Sequence, residues 1–199
     1  MTAPAAARAS KRQVIIETAE RLFAEHGYDA TSTARIANEA GVPTGLVFYH
    51  FATKLDLLLA IVNERPTPSA VLRSASKGRS VRGRLRTVVT MMADELEHNR
   101  AARIIVFREA QARPEIAARG AELFAEATAT VADVLSGADD IVADPARVRT
   151  AAELVVSRVF LDIVALGQPD TAAKRHAAMI ELVAASLTKP EVPTARGPV

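Results

Sequence analysis

The sequence predicts an all-α protein in two parts: an N-terminal three-helix domain with a helix-turn-helix, and a larger helical domain behind it. Three observations carry this. Apolar residues make up 49% of the chain with 4% aromatics and no Trp, an alanine-rich composition that favours helices over a sheet. In the long stretches the apolar residues recur every three or four positions, the helical period. Few Gly or Pro interrupt those stretches; they collect between them. At 199 residues the chain has room for a small domain and a moderate one, each with its own core.

Met1 to Ala9 reads as a disordered arm, whose Arg8, with Lys11 and Arg12, either reaches along a groove or stays free in solvent. Ser10-Lys11-Arg12-Gln13 has the spacing of a capping box, and Ile15, Ala19, Leu22 and Phe23 form one stripe of the helix that follows, stopped at Gly27. Ser32 caps a short second helix that buries Ile36, Ala37 and Ala40. Gly41 ends it by supplying a positive backbone angle without a Cβ penalty. Val42 returns to the core, Pro43 and Thr44 start a third helix of about two turns, and Val47 and Phe51 face inward. The outward side of that helix offers Thr44, Leu46, Tyr49 and His50, a mixture of hydroxyl, methyl-contacting and hydrogen-bonding groups suited to phosphates and base edges in a major groove. A fourth helix begins near Thr53, runs through Leu55, Leu58, Ile61 and Val62, and stops before Pro66.

Residues 66–80, rich in Pro, Ser and Gly, read as a connector. Beyond it helices are expected at 81–98, 101–111, 114–136, 145–167 and 171–187, separated at Arg113-Pro114, Gly137, Asp144-Pro145 and Gly167-Gln168-Pro169. The domain organisation is thus an arm (1–9), a helix-turn-helix domain (10–65), a connector (66–80), a helical domain (81–187) and a disordered tail (188–199) with three prolines.

Ala40-Gly41-Val42-Pro43-Thr44-Gly45-Leu46-Val47-Phe48-Tyr49-His50-Phe51, followed by Lys54 and Leu57-Leu58, resembles the DNA-binding domain of the TetR-type (TetR/AcrR) transcriptional regulators, over roughly residues 11 to 62. The resemblance implies an all-helical dimer whose larger domain binds a small effector that releases the operator. Two positions differ from the family pattern. Pro43 stands where a Ser or Thr cap is usual, and Phe48 where a Tyr commonly gives its hydroxyl to a phosphate. Arg35 and Lys54 both sit in first turns, where a cation opposes the helix dipole. A DNA phosphate relieves that conflict for Arg35, the other reading being a solvated side chain; for Lys54 the resemblance itself assigns a phosphate contact, the other reading being a free surface side chain. The residues expected at DNA are therefore Thr33, Arg35, Thr44, Leu46, Tyr49, His50 and Lys54.

Net charge is only +2, so bulk charge argues little for nucleic acid. Residues 1 to 65 carry seven Lys or Arg against seven Asp or Glu; the excess lies at Arg73, Lys77, Arg79, Arg82, Arg84 and Arg86, with no acid between them. This segment reads as a solvated connector or as an electrostatic supplement to operator binding.

For an effector pocket the middle helices offer Met91, Met92, Glu95, Phe107, Arg108, Gln111, Phe124, Thr128 and Phe160, with Arg108 as the anchor if the ligand is anionic. Val155, Val159, Ile163, Met179, Val183 and Leu187 form stripes on the last two helices that suit either the chain's own core or a four-helix bundle across a twofold axis. The dimer is expected because two reading helices about 34 Å apart serve two half-sites.

Other classes fare worse. The chain has no Cys, hence no disulfide or thiolate metal site. Met1 to Ala9 lacks the apolar stretch of a signal peptide and no run approaches a membrane span, so a soluble cytoplasmic protein is expected. His26, His50, His98 and His176 are scattered, and neither a phosphate loop nor a nucleophile elbow is present. No catalysis, cofactor or metal is expected. The function read from the sequence is a DNA-binding regulator, most simply a repressor released from a near-palindromic operator by a small molecule. A helical scaffold without operator binding and an activator of the same architecture are the alternatives.

Overall fold

The computed structural model describes residues 5–64, 72, 79–165 and 169–189. Among them the chain forms α1 (Ala5–His26), α2 (Thr33–Glu39), α3 (Thr44–His50), α4 (Lys54–Asn63), α5 (Val81–His98), α6 (Arg100–Glu109), α7 (Pro114–Ser136), α8 (Pro145–Phe160), a π-helical turn (Leu161–Ala165) and α9 (Pro169–Leu187). No strand occurs among the described residues; Ile141 and Thr188 meet in one isolated bridge. No single helix there is long and apolar enough to cross a membrane. Most of the expected connector and tail lies outside the described residues.

Helix starts and stops follow local chemistry. Gly27, at φ 87°, ends α1. Its start corrects the expectation: α1 begins at Ala5, so Ser10 lies inside the helix and is not its cap, and part of the expected arm is helical. The four alanines among residues 5–9 explain this, since Ala has the highest helix propensity. Asp144 caps α8, its carboxylate accepting from the backbone N–H groups of Ala146 and Arg147 at 3.0 Å each, with Pro145 opening the helix.

The chain divides into two compact units, Met1–Pro66 with Leu96–Glu122, and Thr67–Glu95 with Leu123–Val199. The segment 96–122, read from the sequence as part of the second domain, packs with the N-terminal helices. In the first unit α1 packs on α2, α3, α4 and α6, and α4 packs on α6. One core results, in which Ile15, Phe23, Ile36, Val47, Leu57 and Ile61 meet Ala102, Ile105 and Ile116. Burying side chains of this size stabilises by about 1.5 to 3 kcal/mol each before the entropy of ordering is subtracted.

In the second unit α8 packs on α9. The stripes expected at a dimer interface are mostly interior to it: Val155 and Val159 are fully buried, and Ile163, Val183 and Leu187 nearly so. Only Met179 of that set is half-exposed. Among the described side chains of these helices, the large apolar ones left exposed are Leu154, Leu161 and Leu182, the last 75% exposed. The α-helix expected to run to 167 stops at Phe160, and the π turn carries Asp162, a fully buried carboxylate. Asp162 pairs with Arg158 (3.0 Å) and Arg175 (3.0 Å) and lies 3.2 Å from His176 Nε2.

Candidate nucleic-acid interface

The reading head is built from the turn outward. Ser32 Oγ accepts from the Arg35 N–H at 3.1 Å and starts α2. Its end is a Schellman motif: Gly41 at φ 64° donates to Asn38 O (3.2 Å) and Val42 donates to Ala37 O (3.0 Å). That pair of bonds sets the exit direction of the chain and tucks Val42 against the core. Pro43 precedes α3 with no side-chain cap, which forgoes roughly 1 kcal/mol relative to a hydroxyl cap.

Within α3 each residue advances by about 100° around the axis. Val47, 1% exposed, points to the core, and Phe51, 4% exposed, closes the helix behind it. Gly45 and Tyr49 therefore face directly outward, Thr44 and Phe48 form one flank, and Leu46 and His50 the other. The exposures agree: Tyr49 is 68% and Phe48 50% exposed, Thr44 is exposed, and Leu46 and His50 are half-buried. The outward set expected from sequence thus holds for Thr44 and Tyr49, but Phe48 stands out further than Leu46 or His50. The His50 ring packs edge-on to Tyr49, centroids 5.1 Å apart, and lies 6.2 Å from Phe51.

The cations expected at phosphates are spoken for inside the chain. Lys54 Nζ donates to the carbonyls of Tyr28 (2.9 Å) and Thr31 (3.1 Å) and sits 4.2 Å from the Tyr28 ring centroid. Two of its three N–H donors hold the loop between α1 and α2. Arg35 contacts His26 Nε2 at 2.8 Å and Glu39 at 3.7 Å. Glu39 also accepts from Arg21 at 2.6 Å, and that hydrogen bond draws its pKa below the ordinary carboxylate value. A carboxylate four residues on partly offsets the unfavourable cation at the start of α2, and the Arg35 side chain stays exposed. Thr33 is half-exposed beside the Ser32 cap. Arg12, read as part of a basic arm, pairs with Glu64 and lies 5.0 Å from the Phe51 ring centroid.

One device escaped the sequence reading. Thr53 and Asp56 form a reciprocal capping box, Asp56 N–H donating to Thr53 Oγ1 (3.0 Å) and Thr53 N–H to Asp56 Oδ2 (2.9 Å). Its signal, Thr-x-x-Asp ahead of an apolar run, is plain in the sequence.

Three arginines of the basic segment, Arg82, Arg84 and Arg86, are engaged within the chain. Arg82 and Arg86 both bind Glu181 of α9, at 2.8 and 3.2 Å. Arg84 donates to Val134 O at 2.7 Å. Arg73 and Lys77 lie outside the described residues. Of the effector candidates, Phe107, Arg108 and Gln111 belong to the first unit and are exposed, with an Arg108 guanidinium nitrogen 3.6 Å from where a Cβ on Gly27 would sit. Arg108 is therefore a surface cation rather than an interior anchor. Met91, Met92, Glu95, Phe124 and Phe160 belong to the second unit, with Met92 buried and Met91, Glu95 and Phe160 half-buried. None of the candidates lines the cleft of about 410 Å³ bounded by Ser80, Arg82, Asp139, Asp140, Val142 and Lys189.

Residues 15–61 match the family described as bacterial regulatory proteins, tetR family. The chain is 29% identical over 188 residues to the HTH-type transcriptional repressor Rv1474c of Mycobacterium tuberculosis, covering 91% of this chain and 95% of that protein. It is 28% identical over 153 residues to the HTH-type transcriptional activator FasR of Mycolicibacterium smegmatis, covering 75% and 70%. Matches to other curated relatives are local, and the chain spans under a third of the length of several of them. The fold is shared with FadR from Bacillus subtilis, solved in complex with stearoyl-CoA, at a TM-score of 0.69 and 19% identity over 88% of this chain and 98% of that one.

Proposed function

We propose, from the premise that this chain belongs to the tetR family of bacterial regulatory proteins, that it is a cytoplasmic homodimeric repressor that releases a near-palindromic operator when a small molecule binds its second unit. The observation that carries this reading is α3, anchored by Val47 behind a glycine turn while Phe48 and Tyr49 stand exposed. A short helix with one buried residue and two exposed rings has little use as core, and its size suits a major groove.

In this reading Thr44, Phe48 and Tyr49 meet the groove, Leu46 and His50 flank it, and Thr33 and Arg35 lie at the backbone. Lys54 acts mainly by holding the α1–α2 loop in place. A second copy docks on Leu154, Leu161 and Leu182, the exposed apolar side chains of α8 and its π turn and of α9, because two half-sites on one face of the duplex require two heads. The effector contacts Met91, Met92, Glu95, Phe124 and Phe160. Thr128 joins them, since its hydroxyl is buried without a hydrogen-bond partner among the described residues and a ligand acceptor or donor would satisfy it. A long-chain acyl-CoA is the first ligand to test, being the molecule held by the Bacillus subtilis FadR of the same fold. Coupling of about 1 to 3 kcal/mol between the two sites is enough for release.

The test is a footprint on DNA flanking the chain's own coding region, at moderate salt with random competitor. A protected, symmetric site lost on adding the effector supports the proposal; equal binding to all fragments refutes it. Transcription in vitro from the protected promoter separates repression from the activation known of FasR.

A further inference from the structure

The exposed side of α3 has a specific shape. A Cβ built on Gly45 meets nothing within 4 Å, so the space over the middle of the outward face is open, with Tyr49 one turn along and Phe48 on its flank. Phe48 is 50% exposed and carries no donor or acceptor. A phosphate gives such a ring nothing, and the only apolar group that a base pair displays in the major groove is the 5-methyl of thymine. Thr44, also exposed, lies one turn before Phe48 on the same flank.

We infer that Phe48 reads a thymine through its 5-methyl group, received in the open space over Gly45, so that each half-site contains a thymine recognised without a hydrogen bond. This rests on the operator-binding reading above and specifies how one base is chosen. Burying one methyl accounts for about a fourfold preference for thymine over the same base lacking it. Gly45 matters because an added Cβ is harmless in the free protein yet occupies the place the methyl needs.

The experiment uses the full chain. Operators are selected from a random duplex pool, and each thymine of the selected site is then replaced in turn by deoxyuridine, which keeps every hydrogen-bonding group and removes only the methyl. Wild type is expected to lose about fourfold in affinity at one position per half-site and to be indifferent elsewhere. In Phe48→Ala, folded by circular dichroism, the thymine and deoxyuridine duplexes bind alike at that position. In Gly45→Ala the preference falls or inverts, the deoxyuridine duplex binding as well as the thymine duplex or better. A selected operator at which no deoxyuridine replacement weakens wild type overturns this inference and leaves operator binding standing. So does a loss of unchanged size in Phe48→Ala. Failure to select any sequence overturns the operator reading, and this inference with it.

Discussion

The Arg113 guanidinium lies over the ring of Tyr28, 4.0 Å from its centroid. Lys54 Nζ approaches the same ring at 4.2 Å, so one aromatic side chain holds the entry to α4 and the segment after α6 against the loop that precedes the helix-turn-helix. Arg113 also pairs with Asp29 at 2.6 Å and with Glu109. Burial raises the Tyr28 pKa, and the charge of Arg113 opposes that rise. Replacing Arg113 with Ala is expected to destabilise by about 2 kcal/mol, measured by urea unfolding, with a smaller loss from Arg113→Lys. Operator affinity should fall in the same variant because the loop before Ser32 is loosened.

Lys54 distinguishes a strut from a phosphate contact. Lys54→Met removes the hydrogen bonds to the Tyr28 and Thr31 carbonyls and should cost about 1.5 to 3 kcal/mol of stability. If its role is internal, the slope of log affinity against log salt stays as in wild type; a slope shallower by about one would mean a lost phosphate.

The dimer surface is open to a similar comparison. Leu182→Glu, at a side chain 75% exposed, should leave the unfolding midpoint of the monomer within about 0.5 kcal/mol of wild type while sedimentation shifts to the monomer. Val159→Ala, fully buried, should instead cost about 1 to 3 kcal/mol by leaving a cavity. A dimeric Leu182→Glu protein would move the proposed interface elsewhere.

His176 is 5% exposed beside Asp162, and burial lowers its pKa below 6.5, with Asp162 only partly opposing that. A His with a depressed folded-state pKa binds its proton more readily when unfolded. Its contribution is therefore complete above about pH 6.5 and is lost as pH falls toward the folded value. Wild type should lose stability as pH falls below about 6.5, by at most about 1.4 kcal/mol per pH unit from this group. His176→Asn should flatten that slope while starting from a lower stability at pH 7.5, as read from urea midpoints across the range.

Reading residues in order is enough for the helices and for the head they build. Helix period, Gly41, Pro114 and Asp144-Pro145 act through neighbours within a few positions, and the structure places α5 and α7 at 81–98 and 114–136 as expected. The inward direction of Val47 and the outward direction of Tyr49 follow from the same period, because seven residues on one axis leave little choice once one side is apolar.

Partners distant in the chain are another matter. Lys54 bonds to a carbonyl 26 residues back, Arg113 to a carboxylate 84 residues back, and Arg86 to Glu181, 95 residues on. A first-turn cation reads equally as waiting for DNA or for a loop carbonyl until the loop is seen beside it. An apolar stripe is equally ambiguous, since burial energy depends on area covered and not on which chain covers it. Val155 and Val159 prove to be interior while Leu154 and Leu182 remain outside, and α6 joins the N-terminal helices through Ala102 and Ile105. Helical pattern is a short-range property written along the chain; the choice among chemically equivalent partners is made only when the packed helices fix which of them lie within a few ångströms.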